Sequence, residues 1–211
     1  MEKHYDEQYD MDETWLAGFF DADGYLGVQP AKVQGQKIVF SLIPKAQINQ
    51  KYVAGFIDGD GCVSCTVFPQ KAHNSGYEIQ PQVRMVEYHT KNVLPKIFRF
   101  LSSKGIKVAL YLPNKTKKSG QGELVVYGIK NLSRFLNLVG PYLQSYKREQ
   151  TQILLEKILP RLRRKEHVTK EGFIKLMAFV DLLNSLRNDH KERKYTKAYF
   201  EKIWSMRENQ S

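Results

Sequence analysis

Ala17-Gly18-Phe19-Phe20-Asp21-Ala22-Asp23-Gly24 returns as Ala54-Gly55-Phe56-Ile57-Asp58-Gly59-Asp60-Gly61, identical at six of eight positions and offset by 37 residues. Each copy follows an apolar pair, Trp15-Leu16 or Tyr52-Val53, and runs into a strand-like segment, Tyr25 to Val28 or Cys62 to Phe68. A glycine that closes an apolar stretch marks a helix end, so each copy reads as helix, glycine, strand. Within the helices, Gly18 and Ala22, like Gly55 and Gly59, stand four apart on one face, where the lack of bulk lets two backbones approach closely. Close approach would bring Asp23 and Asp60 together at paired helix C-termini, where the macrodipole already disfavours negative charge. Two carboxylates there repel unless a cation offsets them. Hard oxygen donors suit Mg²⁺, which takes one or two carboxylates and completes its shell with substrate phosphates, the ingredients of metal-assisted phosphodiester hydrolysis.

An EF-hand is excluded. Counting each first Asp of Asp-x-Asp-Gly as position 1, the places for the later ligands hold Tyr25 and Lys32, or Cys62 and Pro69, none of them a calcium ligand through its side chain.

Working outward, the 211 residues suffice for one ordinary domain or two small ones. A hydrophobic fraction of 42% with 12% aromatics rules out a wholly disordered chain. No apolar run is long enough to cross a bilayer, and the acidic start MEKHYDEQYDMDE is neither a signal peptide nor a basic transit peptide, so a soluble protein without a membrane partner is expected. Two cysteines, Cys62 and Cys65, cannot make a disulfide scaffold or a four-ligand zinc site, and their spacing points them to opposite faces of a strand, as packing residues.

Charge is uneven. The chain carries +11, yet residues 1–25 hold eight acids against the single base Lys3, net −7, so the rest carries +18, the difference between +11 and −7. A surplus of that size favours a polyanion, because each neutralised phosphate releases counterions.

LAGFFDADG (Leu16 to Gly24) and VAGFIDGDG (Val53 to Gly61) resemble the motif of the LAGLIDADG homing endonucleases, and from Lys51 onward the chain is similar to the small intron-encoded branch with one motif per chain. That resemblance implies an α+β fold with an αββαββα core, an antiparallel DNA-binding sheet and C-terminal helices. It implies Mg²⁺- or Mn²⁺-dependent cleavage of both strands of a long double-stranded DNA site, as in intron homing. It also implies a homodimer, or an asymmetric monomer if the first copy completes the pair. An intron RNA maturase on the same scaffold is the alternative, with an inactive DNA-binding relative behind it. An organelle-encoded protein, chloroplast or mitochondrial, is implied, with a bacterial cytoplasm the other possibility.

The organisation expected is an acidic tail (1–12), a partial repeat of one helix and two strands (13–50), a complete core (51–165) and a C-terminal helical extension (166–211). In the second unit, strands are expected near 62–69, 77–87, 106–112 and 122–129, and helices near 91–104, 131–139 and 147–158. Ser64, Thr66, Phe68 and Gln70 share one parity of the first hairpin, and Glu78, Gln80, Gln82 and Arg84 the matching parity of its return strand. Such a face suits base edges, since Gln pairs bidentately with adenine and Arg with guanine in the major groove. His73 falls at the hairpin tip. Lys107, Lys115, Lys117 and Lys118 flank the second hairpin and suit phosphates.

By resemblance, the motif-terminal metal ligand falls on Asp60 and Asp23. The second-strand polar residue, usually Gln, falls 27 residues later on Glu87 and Gln50, with Gln47-Ile48-Asn49-Gln50 as the catalytic strand of the first copy. Basic residues that offset charge at the scissile phosphate fall on Lys147 and Lys91. Glu87 in place of Gln, and a first copy lacking half a repeat, are departures from the family pattern. The run Arg161, Arg163, Arg164, Lys165 after Pro160 reads as a solvated turn able to touch phosphates.

Overall fold

A computed structural model describes residues 12–23, 47–73, 75–88, 93–112, 121–187 and 193–208. Helix α1 (Glu13–Asp23) is followed by α2 (Gln50–Asp60), β1 (Cys62–Pro69), β2 (Tyr77–Tyr88), α3 (Val93–Ser103), β3 (Ala109–Tyr111), β4 (Gln121–Tyr127) and α4 (Ile129–Val139). From α2 to α4 this is αββαββα. Helices α5 (Lys147–Ile153), α6 (Leu159–Arg163), α7 (Lys170–Ser185) and α8 (Lys197–Glu208) complete the described chain.

The strands form one antiparallel sheet in the order β1-β2-β4-β3. Val63, Cys65, Ile79, Val83, Met85, Leu124 and Val126 point from one side of it into the core, beneath Phe56, Leu94, Ile97, Leu132 and Phe135 of the helices. This alternation is the period-two pattern of a sheet with one covered face. Pro81 sits in β2 where only β1 is paired, one residue before the β4 ladder begins at Gln82, so its missing N–H interrupts no second ladder.

One expectation is corrected here. Residues 47–49 form no strand, and Gln50 opens α2. Asn49 is the reason: its side chain accepts from the Lys51 and Tyr52 backbone N–H groups, which satisfies two orphan donors of a helix start. The basic run after Pro160 opens in helix, and its last two members, Arg164 and Lys165, form the expected exposed turn. The chain stays helical from Lys147 to Arg163, with a wider π turn over Leu154–Ile158. Pro160 cannot donate to the residue four before it and its ring crowds that carbonyl, and a widened turn relieves the clash. Arg161 then stacks 4.5 Å from the Phe179 ring, while Arg164 pairs with Glu166 at 2.7 Å. The strand expected over Tyr25 to Val28, and most of that expected over Lys37 to Gln50, lie outside the described residues.

Phe173, Tyr195, Tyr199, Phe200 and Trp204 of the last helices and their connection form an aromatic cluster that takes in Tyr77, the first residue of β2, 4.8 Å from the Phe200 ring. The extension thereby braces the turn end of the first hairpin.

Both cysteines are free, and burial pushes the Cys65 thiol up from 9.0 to about 12. The folded state therefore holds this proton while the unfolded chain releases it, so stability falls as pH climbs from 9.0 towards 12. Burial of Lys147 acts oppositely, since a lowered lysine makes the fold gain stability as pH rises towards 10.5. Comparing wild type with Cys65→Ala isolates the thiol. Their difference in unfolding free energy should move by roughly 2 kcal/mol in favour of the variant between pH 8 and 11, measured by urea denaturation.

Candidate active site and nucleic-acid interface

The two motif helices meet at their glycines. A Cβ built on Gly18 would fall 2.0 Å from the Tyr52 carbonyl oxygen, and one on Gly55 would fall 1.9 Å from that of Trp15. No side chain fits either position, so the backbones of α1 and α2 touch directly. Ala22 and Gly59, one turn on, are half-buried. Polar contacts cross the seam in reciprocal fashion. Trp15 Nε1 donates to Asp58 Oδ2 at 3.1 Å, and the Tyr52 hydroxyl donates to Asp21 Oδ2 at 2.5 Å. Burial, reinforced by Asp21, pushes the Tyr52 hydroxyl far above its ordinary range. At the helix starts, Lys51 binds Asp12 at 2.5 Å and holds that carboxyl below the usual carboxylate range.

Asp23 and Asp60 are the last residues of α1 and α2. Asp60 is exposed. Directly behind it Gly61 turns the chain into β1 in extended geometry, and a Cβ there would lie 2.6 Å from the Ile57 Cα. This glycine is required by close approach rather than by a left-handed conformation.

Lys147 reaches the same helix end from the start of α5. Its Nζ donates to the carbonyls of Ile57 (2.6 Å), Asp58 (3.0 Å) and Gly59 (3.3 Å), acceptors of the helix C-terminus, of which Ile57 also takes the Gly61 N–H. Burial lowers its pKa, against the opposing pull of Asp58 and Asp60. A cation is thus held in the protein beside Asp60, attached to α2, and is not a mobile arm.

Asp58 is the residue that sequence reasoning missed. It is 7% exposed and accepts from Trp15 Nε1, from the backbone N–H groups of Gln144 (2.8 Å) and Ser145 (3.3 Å), and from Ser145 Oγ. It ties α1, α2 and the turn that launches Lys147 into one unit. A signal for it existed: the aromatic donors Trp15 and Tyr52 and the acids Asp21 and Asp58 share the 37-residue offset.

Glu87 and Gln50 are placed differently from the shared catalytic position that resemblance implied. Glu87, 7% exposed, points to the covered side of the sheet. Its two oxygens accept from the Val93 and Leu94 N–H groups, at 3.1 and 3.3 Å, so it caps α3, and negative charge there is favoured by the helix dipole. Gln50, at the first turn of α2, stands ten residues from Asp60 along one helix, on the order of 15 Å. Lys91, Lys115, Lys117 and Lys118 lie outside the described residues.

On the open side of the sheet, Thr66 is opposite Gln80 and Phe68 opposite Glu78, while Ser64, opposite Gln82, is buried and does not present itself to a base edge. Across the next ladder, Gln82 faces Tyr127 and Arg84 faces Val125. Arg84 is ion-paired with Glu123 at 2.5 Å. Tyr111 and Tyr127, 59% and 50% exposed, join this face. Parity continued along 121–127 would have found Glu123 and Tyr127. Gln70 opens the hairpin turn, its N–H donating to the Gly76 carbonyl at 2.8 Å. His73 lies in that turn, 3.9 Å from Glu78, and lines a cleft of about 350 Å³ with His167. Burial, then the neighbouring His73, lowers the pKa of His167. Lys107 is exposed at the start of the second hairpin, its backbone held by Asn131.

Among the described residues no group of three His, Cys, Asp or Glu side chains gathers to hold a metal. An exposed carboxylate at a helix end fits a hard ion that takes most of its oxygens from phosphate and water. It does not fit a protein-enclosed metal. Among the same residues, no helix is long and apolar enough to cross a membrane.

Comparison with known proteins agrees with this architecture. The fold is similar to that of the homing endonuclease I-CvuI in complex with target DNA, with TM-score 0.62 and 21% identity over 74% of this chain and 91% of that one. It is also similar to the archaeal intron-encoded homing endonuclease I-Vdi141I complexed with DNA, with TM-score 0.60 and 21% identity over 76% and 96%. The homing endonuclease I-TnaI gives TM-score 0.54 and 22% identity over 66% and 96%. No curated protein sequence matches. Residues 53–155 match the model of the family described as LAGLIDADG endonuclease. That segment carries most of the motif helix, the whole sheet and α3 to α5, and through it the chain is similar to the LAGLIDADG endonucleases.

Proposed function

We propose that the protein is a site-specific, Mg²⁺-dependent endonuclease that hydrolyses phosphodiester bonds of double-stranded DNA, in the manner of intron homing. The observation that carries this reading is the end of α2. There an exposed Asp60 and the buried Lys147 cation share one helix terminus, next to a sheet whose open side bears Thr66, Gln80, Gln82 and Arg84. The +11 net charge supplies non-specific attraction to the phosphate backbone. The sheet face aligns the duplex so that a scissile phosphate comes to the helix end, with glutamines suited to adenine edges and Arg84 to guanine once it leaves Glu123.

Asp60, with Asp23 as its counterpart on α1, would hold the ion. When bound, Mg²⁺ polarises the scissile phosphate and makes its water a better nucleophile near neutral pH. Lys147 keeps positive charge beside Asp60 and holds the last carbonyls of α2, so the carboxylate meets the phosphate from a rigid support.

The test is incubation of the purified protein with DNA spanning its intronless host site, with and without Mg²⁺. Specific double-strand cleavage only in the presence of the ion is expected. Mn²⁺ should substitute, and Ca²⁺ should support binding alone. Tight binding of intron RNA with no DNA cleavage would replace this reading by that of a maturase.

A further inference from the structure

The first hairpin is not supported evenly along its length. Strands β1 and β2 pair from Cys62 and Arg84 out to Pro69 and Tyr77, but the ladder between β2 and β4 begins only at Gln82. Among the described residues, the hairpin from Tyr77 to Pro81 is therefore a two-stranded ribbon. The space that a longer β4 would fill is the cleft of about 350 Å³ bordered by Glu78 to Pro81 and by Tyr127. A ribbon of two strands is marginally stable in water and twists more strongly than a wider sheet. Yet this distal part carries two cross-strand pairs of the open face, Thr66 with Gln80 and Phe68 with Glu78. Hydrogen bonds weaken steeply as they lose alignment, so side chains that read base edges need a support fixed to within about 0.5 Å.

That support reaches the covered side of the ribbon from the C-terminal extension. The Tyr77 ring meets Tyr195 at 5.4 Å and Phe200 at 4.8 Å, edge-on in both cases. Its hydroxyl shares a hydrogen bond with that of Tyr199 at 3.3 Å. Phe200 is fully buried and rests in turn on Phe173 of α7 at 4.8 Å, which ties the contact to the core. Edge-on aromatic pairs prefer a defined ring geometry, so they fix the direction of the ribbon as well as covering it. All of Tyr77's partners lie beyond the segment 53–155 that matches the family model.

We propose that this aromatic cluster is a specificity-determining element. It supplies the support that a third strand gives elsewhere in the sheet, and through Tyr77 it holds the distal ribbon in the pose in which Thr66, Phe68, Glu78 and Gln80 read base pairs. Its members are positioning residues, acting through the hairpin. The inference rests on the endonuclease reading above and names the part of the target that depends on the extension. Phe68 stands six residues beyond Cys62, on the order of 20 Å along the strand, or about six base-pair steps. The bases concerned are the outer ones of the site, remote from the end of α2.

Selection from a pool of random-sequence DNA duplexes in Ca²⁺, with the full chain, tests it position by position. Tyr77→Ala and Tyr195→Ala should each lose base preference at the outer positions of the wild-type site by about tenfold, and keep it within about threefold at the inner ones. Tyr77→Phe keeps the ring and loses only the bond to Tyr199, so it should retain the wild-type profile. Amide hydrogen exchange without DNA is the second measurement. Residues 66–68 and 77–80 should exchange at least about tenfold faster in the alanine variants, with 82–88 unchanged. Tyr195→Ala decides the matter if Tyr77→Ala does not fold. Unchanged outer preference, an equal loss at every position, or unaltered exchange in a folded alanine variant would overturn the inference alone. A wild type that enriches no duplex overturns the site-specific endonuclease reading and takes the inference with it.

Discussion

Asp60→Asn should abolish strand cleavage, by at least about a thousandfold in rate, while leaving DNA affinity equal or higher. Asparagine keeps the size and one oxygen of the side chain but loses the charge that holds a hard divalent ion. Removing a carboxylate acceptor for that ion removes interactions worth several kcal/mol in the transition state, and each 1.4 kcal/mol is about tenfold in rate. In the proposed reading affinity rests on other residues, since the sheet face and the positive surplus would contact bases and phosphates. One less negative charge beside a phosphate can only help it. Asp60 is exposed, so the thermal midpoint should stay close to that of wild type. Cleavage of a plasmid bearing the target, read beside a gel-shift titration in Ca²⁺, checks both halves. Cleavage retained by the variant would remove Asp60 from the ion site.

Asp58→Ala should be the most destabilising single change at this site, by about 3 kcal/mol, which lowers Tm by roughly 6–12 °C. The reason is local. The carboxylate is buried and takes hydrogen bonds from Trp15, Gln144 and Ser145, and alanine leaves all of these donors unpaired where water is scarce. Asp58→Asn keeps one acceptor oxygen but turns an N–H group towards other donors, so it should recover less than half of the loss. Calorimetry on the two variants reads the effect. Activity should fall with Asp58→Ala even below the melting range, because the turn that carries Lys147 to α2 loses its anchor. A fall confined to stability, with full cleavage at low temperature, would mean that Lys147 holds its position without Asp58.

These two aspartates show how unevenly the site was legible. Both stand in the repeat, two residues apart, and local pattern marks them alike. Asp60 could be nominated as an ion ligand because a terminal acid beyond a glycine-faced helix has few other tasks. Asp58 could not, because its partners lie 43 and 86 residues away. Glu87 illustrates the converse. The family resemblance placed it at a catalytic position, yet helix α3 ends its approach on that carboxylate and uses both oxygens. Gln50 was read as the end of a strand, and the Asn49 cap made it the start of a helix.

Short-range physics was therefore written in the residue order alone: two glycine-faced helices ending in acids, alternating strands with one polar face, and a positive surplus waiting for phosphate. Each of these depends on neighbours a few positions apart, whose geometry the backbone sets directly. The use to which each buried polar group is put was decided by the assembled fold. A carboxylate, an ammonium or an indole N–H taken out of water must find its partner among whatever distant atoms packing brings within about 3 Å, and no local pattern specifies that atom.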